Sequence, residues 1–162
     1  MVHRLDMDTS GLMILALDRE THRHLGLQFE RRKTRKIYIA RVWGRPVEDE
    51  GMIDLPLVCD WPNRPRQMVN HEIGKEALTS WSVIEREVGG LATRMKLAPL
   101  TGRSHQLRVH MERLGHPILG DRLYACEAAL AASSRLQLHA ESLTIHHPAD
   151  GRLVTFNDPC PF

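Results

Sequence analysis

No run of apolar residues in this chain approaches the roughly 18 that a bilayer-spanning helix needs, and the first residues lack the charged, apolar, small-residue order of a secretory signal. A chain free in the cytoplasm, with no membrane partner, is expected. Cysteine is scarce: Cys59, Cys126 and Cys160 are odd in number and far apart, which excludes a disulfide framework or a paired zinc knuckle and fits a reducing compartment. Histidine is more plentiful, but His105, His110, His139, His146 and His147 do not fall at ligand spacings, and His71 to Lys75 (HEIGK) misses the two-histidine zinc helix. No metal is expected, and these histidines read as structural or RNA-facing. There is no repeat and no low-complexity tract. A net charge of +2 announces no polyanionic partner.

What is present is a length of 162 residues with 42% hydrophobic content, enough for one core and one domain over residues 1–162. The charge, small in sum, is unevenly spread. Lys and Arg number ten against five acidic residues in 1–45, four against nine in 46–90, and eight against six thereafter. The densest basic stretch, Arg31, Arg32, Lys33, Arg35 and Lys36, can neutralise backbone phosphates, although a basic helix end also complements the helix dipole. Arginine outnumbers lysine 18 to 4, which suits forked recognition of phosphates and base edges.

Leu12 to Leu17 is a nearly continuous apolar run and reads as a buried strand. Asp18 is placed to cap a helix from Arg19 to Arg32 with Leu25, Leu27 and Phe29 inward. Lys36 to Trp43 alternates as a strand, with Tyr38, Ala40 and Val42 on one apolar face. Val47 to Lys75, with Pro56, Pro62 and Pro65, reads as strand, loop, strand. Ala77 to Glu85 and Leu91 to Leu97 form an antiparallel pair about Gly89-Gly90. Ser104 then caps a helix through Leu107, Met111 and Leu114 to Gly115, and a short helix follows near 128–132. Leu136 to Ile145 and Arg152 to Phe156 close the chain as strands around the turn Pro148 to Gly151. This is the pattern of an α+β fold with a mixed, mostly antiparallel sheet and flanking helices.

The segment carrying chemistry is His3-Arg4-Leu5-Asp6-Met7-Asp8-Thr9-Ser10-Gly11: an acid, a basic side chain, two hydroxyls and a glycine just before an apolar run. A carboxylate on such a loop can serve as nucleophile or base, while the same residue types also build an ordinary Asx turn.

The literal string HRLDxxTSG resembles the catalytic loop of the RluA family of RNA pseudouridine synthases. Three further segments match in the family's order: KIYIARVWG at Lys36 to Gly44, TGRSHQLRVHMERLGHPILGD at Thr101 to Asp121, and LHAESLTIHHP at Leu138 to Pro148. The stretch DLPLVCDWPNRPRQ at Asp54 to Gln67 narrows the likeness to the family's dual-specificity branch. The resemblance implies the pseudouridine synthase catalytic fold and an isomerase that needs no cofactor. It also implies 23S ribosomal RNA and transfer RNA as partners, acted on in stem-loops and, for transfer RNA, at position 32 of the anticodon loop. A monomer is expected.

The same resemblance implies residue roles. Asp6 is the carboxylate that acts on sugar or base while the uracil is detached, turned and rejoined through carbon. Arg108 is its basic partner, with Arg103 the alternative; a guanidinium there favours the charged carboxylate. Tyr38 stacks on the target base, where sequence alone would also accept a core tyrosine. Arg4 enters the RNA stack left empty by the flipped nucleotide. Arg31, Arg32, Lys33, Arg35, Lys36, Arg103 and His105 are RNA-contacting candidates. Family members also carry several tens of residues before the aspartate loop, so the domain's opening strands are expected to be absent here, and an added upstream segment is expected to raise stability and turnover. Sister specificity for another RNA site, or a non-catalytic RNA-binding or folding module, are the competing readings.

Overall fold

The alternating residues that predict a strand at 36–43 form β2 (Arg35–Trp43), which lies inside a seven-stranded sheet. The computed structural model describes residues 2–162. Before β2 come a two-residue β1 (Ser10–Gly11) and α1 (Arg19–Glu30); after it come β3 (Glu50–Asp54), β4 (Leu57–Cys59) and β5 (Gln67–Val69). β6 (Leu78–Arg86) and β7 (Ala92–Pro99) precede α2 (Gln106–Arg113) and α3 (Glu127–Ala131), and β8 (Leu138–His146) and β9 (Leu153–Asn157) end the chain. The sheet order is β1-β8-β2-β7-β6-β3, with β9 also paired to β8, while β4 and β5 form a separate hairpin. Every pairing is antiparallel except β1 with β8. The fold is α+β with a mixed, mostly antiparallel sheet, as its pattern predicted.

α1 starts where Asp18 accepts the Thr21 N–H at 2.8 Å and the Thr21 hydroxyl at 2.7 Å. The main core joins Ala40 and Val42 of β2, Trp81 of β6, Met95 and Leu97 of β7, and Leu107 and Met111 of α2, with Tyr38 packed at its margin. The bulge between Ile37 and Tyr38 in the β2–β8 pairing sits beside that margin.

The segment expected to be strand, loop, strand over 47–75 holds three short strands, β3, β4 and β5. Two further expectations are corrected. Leu12 to Leu17 is extended but is not a buried strand: only Ser10 and Gly11 pair with β8. Leu12, Ile14 and Ala16 pack toward Leu25, Leu143 and Ile145, whereas Met13, Leu15 and Leu17 are exposed. Uniform apolarity suggested burial on both faces, but only one face of this segment has anything to pack on. The second correction concerns Ser104, which does not cap α2. His105 takes the capping position in the left-handed region, at φ 54, and no side chain caps the helix there. Gln106 ties the preceding loop instead: its carbonyl oxygen accepts the Arg103 N–H at 2.9 Å and the Thr101 hydroxyl at 2.8 Å. Its amide donates to Leu78 O at 2.9 Å and to Thr79 Oγ1 at 3.0 Å, so all this buried amide's polar atoms are used.

Candidate active site

The short parallel pairing of β1 with β8 fixes the acidic loop. Gly11 adopts φ +104 and lies so close to β8 that a Cβ would overlap the carbonyl of Ala140, so only glycine fits. Upstream, Thr9 N–H donates to Asp6 O at 3.0 Å, the turn hydrogen bond that the loop's residue types predict. His3 is held by the Ile14 N–H, which donates to Nε2 at 3.0 Å, and by a stack on Phe29 with centroids 4.6 Å apart. Burial, then the charge of Lys36, pushes the His3 pKa down, consistent with that nitrogen accepting.

These constraints place Asp6 in a cleft of about 460 Å³ whose walls include Arg4, Thr9, Lys36, Tyr38, Arg103 and His105. Tyr38 comes from β2 and the last two from the β7–α2 loop, so three distant segments share one hollow. Burial, aided by the negative charge of Asp6, pushes the Tyr38 phenol up to about 12. At neutral pH Tyr38 is therefore a protonated phenol beside a carboxylate.

Arg108 lies below this cleft, with only 5% of its side chain exposed, and its Nη1 is 3.7 Å from Asp6 Oδ2. Arg103 does not compete for Asp6: its Nε donates to Glu76 O at 2.9 Å. The firmer partner of Arg108 is Asp121, which sequence reasoning left without a role. Arg108 Nε and Nη2 donate to its two oxygens at 2.8 and 2.6 Å, and the Asp121 side chain is fully buried. Asp121 also accepts the N–H groups of Leu123 and Tyr124 at 2.9 and 3.2 Å. A forked, buried clamp of this kind fixes the plane of a guanidinium and leaves Nη1 directed to a second carboxylate.

Tyr124 was also missed. Its ring lies 5.1 Å from the Arg108 guanidinium carbon, its hydroxyl accepts the Gln67 N–H at 2.8 Å, and that hydroxyl is 2.7 Å from His105 Nδ1. Burial is the largest influence on His105 and lowers its pKa, against the raising effect of Asp6. A sequence signal for Asp121 existed, since an acid closes the family-like segment 13 residues after Arg108, but nothing local marked Tyr124.

The basic cluster divides. Arg31, Lys33 and Arg35 are exposed, whereas Arg32, with φ 55, forms a forked ion pair with Glu76 and Lys36 turns into the cleft. Arg4 is exposed at the cleft mouth. Two of the other histidines have internal partners: His110 bonds Thr79 and Leu55 O, and His139 bonds Ser10 and Asp158 O. Among the described residues no helix is long and apolar enough to cross a membrane.

Residues 1–113 match the sequence pattern of a family described as RNA pseudouridylate synthase. The chain belongs to this family. It is 57% identical over 161 residues to the dual-specificity RNA pseudouridine synthase RluA of Salmonella typhimurium and 56% identical to that of Escherichia coli K12. Both alignments cover 99% of this chain and 73% of the relative. Among solved structures, human RNA pseudouridylate synthase domain containing 1 superposes with a TM-score of 0.86 at 32% identity, covering 99% of this chain and 69% of the human one. Membership makes the enzyme an isomerase of RNA uridines, and the shared fold is that of pseudouridine synthases.

Proposed function

We propose that this chain converts uridine to pseudouridine in stem-loops of 23S ribosomal RNA and of transfer RNA, at position 32 of the anticodon loop in the latter. The observation that carries the reading is the placement of one carboxylate, Asp6, in a cleft with Tyr38 and 3.7 Å from a buried, clamped Arg108. The reaction breaks one bond from the sugar to nitrogen and forms one to carbon within the same nucleotide. Its proton balance closes without a redox partner or group donor.

In this reading Asp6 is the reacting carboxylate, beside a guanidinium that is itself buried. Tyr38 offers its ring to an everted uracil and its phenol to a proton transfer. Arg4, exposed at the mouth, replaces the flipped base in the RNA stack, and Arg103 and His105 line the approach. Arg31, Arg32, Lys33 and Arg35 meet backbone phosphates, with Arg32 contributing least because Glu76 already neutralises it. Unpaired loop nucleotides are the accessible substrates, since their bases can leave the stack at low cost. The dual specificity of the bacterial relatives supports two RNA classes. The same reading takes the protein to be a cytoplasmic monomer.

The test incubates the purified protein with anticodon and ribosomal stem-loop transcripts and maps product by tritium release and carbodiimide chemistry. Product from the native chain and none from Asp6→Asn is expected. Tight binding by both without product would instead favour a binding module.

A further inference from the structure

β2 carries a second polar residue into the cleft, two positions before Tyr38. Lys36 extends from the strand end beside the Ile37/Tyr38 bulge, and its ammonium donates to the carbonyl of Thr101 at 2.9 Å. An ammonium has three donors, and this contact uses one. Among the described residues no carboxylate lies within ion-pairing distance of it, although seven arginine–carboxylate ion pairs form elsewhere. The titratable and charged groups around the cleft are His3, Arg4 and Asp6 of the aspartate loop, Glu30 and Arg32 at the end of α1, Tyr38 of β2, and Arg103 and His105 of the β7–α2 loop. Glu30 lines the cleft without pairing with Lys36, and Asp6 faces Arg108.

A half-buried cation with no counter-charge is costly, and an anion brought by a ligand would offset that cost. The strain shows in the amine itself: burial, reinforced by Arg32, pushes its pKa down to about 8. RNA brings one kind of anion into such a cleft, the phosphodiester. We propose that Lys36 is the phosphate-holding residue of this site, its ammonium gripping a linkage of the everted uridine itself and so setting the depth at which the base reaches Asp6 and Tyr38. This rests on the cleft being a uridine pocket. It differs from the exposed Arg31, Lys33 and Arg35, which can meet only phosphates outside the cleft.

The test measures stem-loop RNA affinity with the Asp6→Asn protein, so that binding is read independently of turnover. One RNA carries neutral methylphosphonate linkages flanking the target uridine and a second is unmodified. With Lys36 present the neutral linkages should weaken binding at least tenfold, the size of a charge-assisted hydrogen bond. With Lys36→Met added, binding of unmodified RNA should weaken similarly and the two RNAs should become indistinguishable. In the otherwise native enzyme, the loss from Lys36→Met should fall more on KM than on kcat. The KM of the native enzyme should climb above about pH 8 as the amine deprotonates. Lys36→Arg, whose charge persists, should abolish that climb.

Equal penalties from the neutral linkages with and without Lys36 would overturn the proposal, as would an alkaline limb that survives Lys36→Arg. If the native chain makes no pseudouridine yet the linkage effect depends on Lys36, the functional reading fails and the phosphate contact stands.

Discussion

Replacing Asp121 with asparagine separates the two carboxylates that share Arg108. Asp121 is fully buried, accepts both arms of the Arg108 fork at 2.6 and 2.8 Å, and accepts two backbone N–H groups as well. Removing one charge of a buried pair costs about 3–5 kcal/mol, because the other is left uncompensated away from water. For a domain of this size each kcal/mol lowers Tm by roughly 2–4 °C, so Asp121→Asn should lose on the order of 10 °C. Asp6→Asn should behave differently. Asp6 lies 3.7 Å from Arg108, its side chain is 18% exposed, and its removal leaves the Asp121 clamp intact. Its stability cost should be about 1 kcal/mol or less, with turnover abolished. Urea unfolding and thermal melts of both variants, beside pseudouridine formation, measure the difference. An Asp6→Asn protein as destabilised as Asp121→Asn, or an Asp121→Asn protein with native Tm, would refute the division into a structural and a reacting carboxylate.

Tyr124→Phe strands the half-buried N–H of Gln67 and unties His105, and should lower the unfolding free energy by about 1 kcal/mol, read as a lower urea midpoint at unchanged slope. Gly11→Ala forces a Cβ into the Ala140 carbonyl at a left-handed φ; it should displace the aspartate loop and abolish turnover, with circular dichroism showing the remaining sheet intact. Lys36→Met should raise Tm at pH 7, since a pKa lowered from 10.5 to about 8 corresponds to a charge-burial penalty of up to about 3 kcal/mol. The pH sign follows: between about 8 and 10 the unfolded chain binds more protons at this lysine than the folded one, so native stability rises with pH. Lys36→Met should flatten that rise. Tyr38 and Tyr124, both held up to about 12 when folded, pull the other way only above about pH 10.

Much of this protein was legible in one dimension. The alternation in 36–43, the glycine pair between β6 and β7, the cap at Asp18 and the stripe through Leu107 and Met111 are local signals, and the elements they predict formed within a residue or two. The aspartate loop was legible as a string of residue types, and its tyrosine and arginine came with the family resemblance. Leu12 to Leu17 misled because apolarity records what a residue tolerates, not whether a neighbour stands on each side of it. Ser104 misled because the Gln106 amide, bonded to four groups on β6 and the loop, had already fixed the backbone that a serine cap would have needed.

Sequence by itself determined most of the elements and the family, since each is written in residues close together along the chain. Only the tertiary structure decided which acid clamps Arg108, which arginine reaches Asp6, and that Lys36 turns inward while its basic neighbours face solvent. Those outcomes are distances of a few ångströms between residues 13 to 102 positions apart, and charge acts across such gaps according to what shields it, which no linear pattern records.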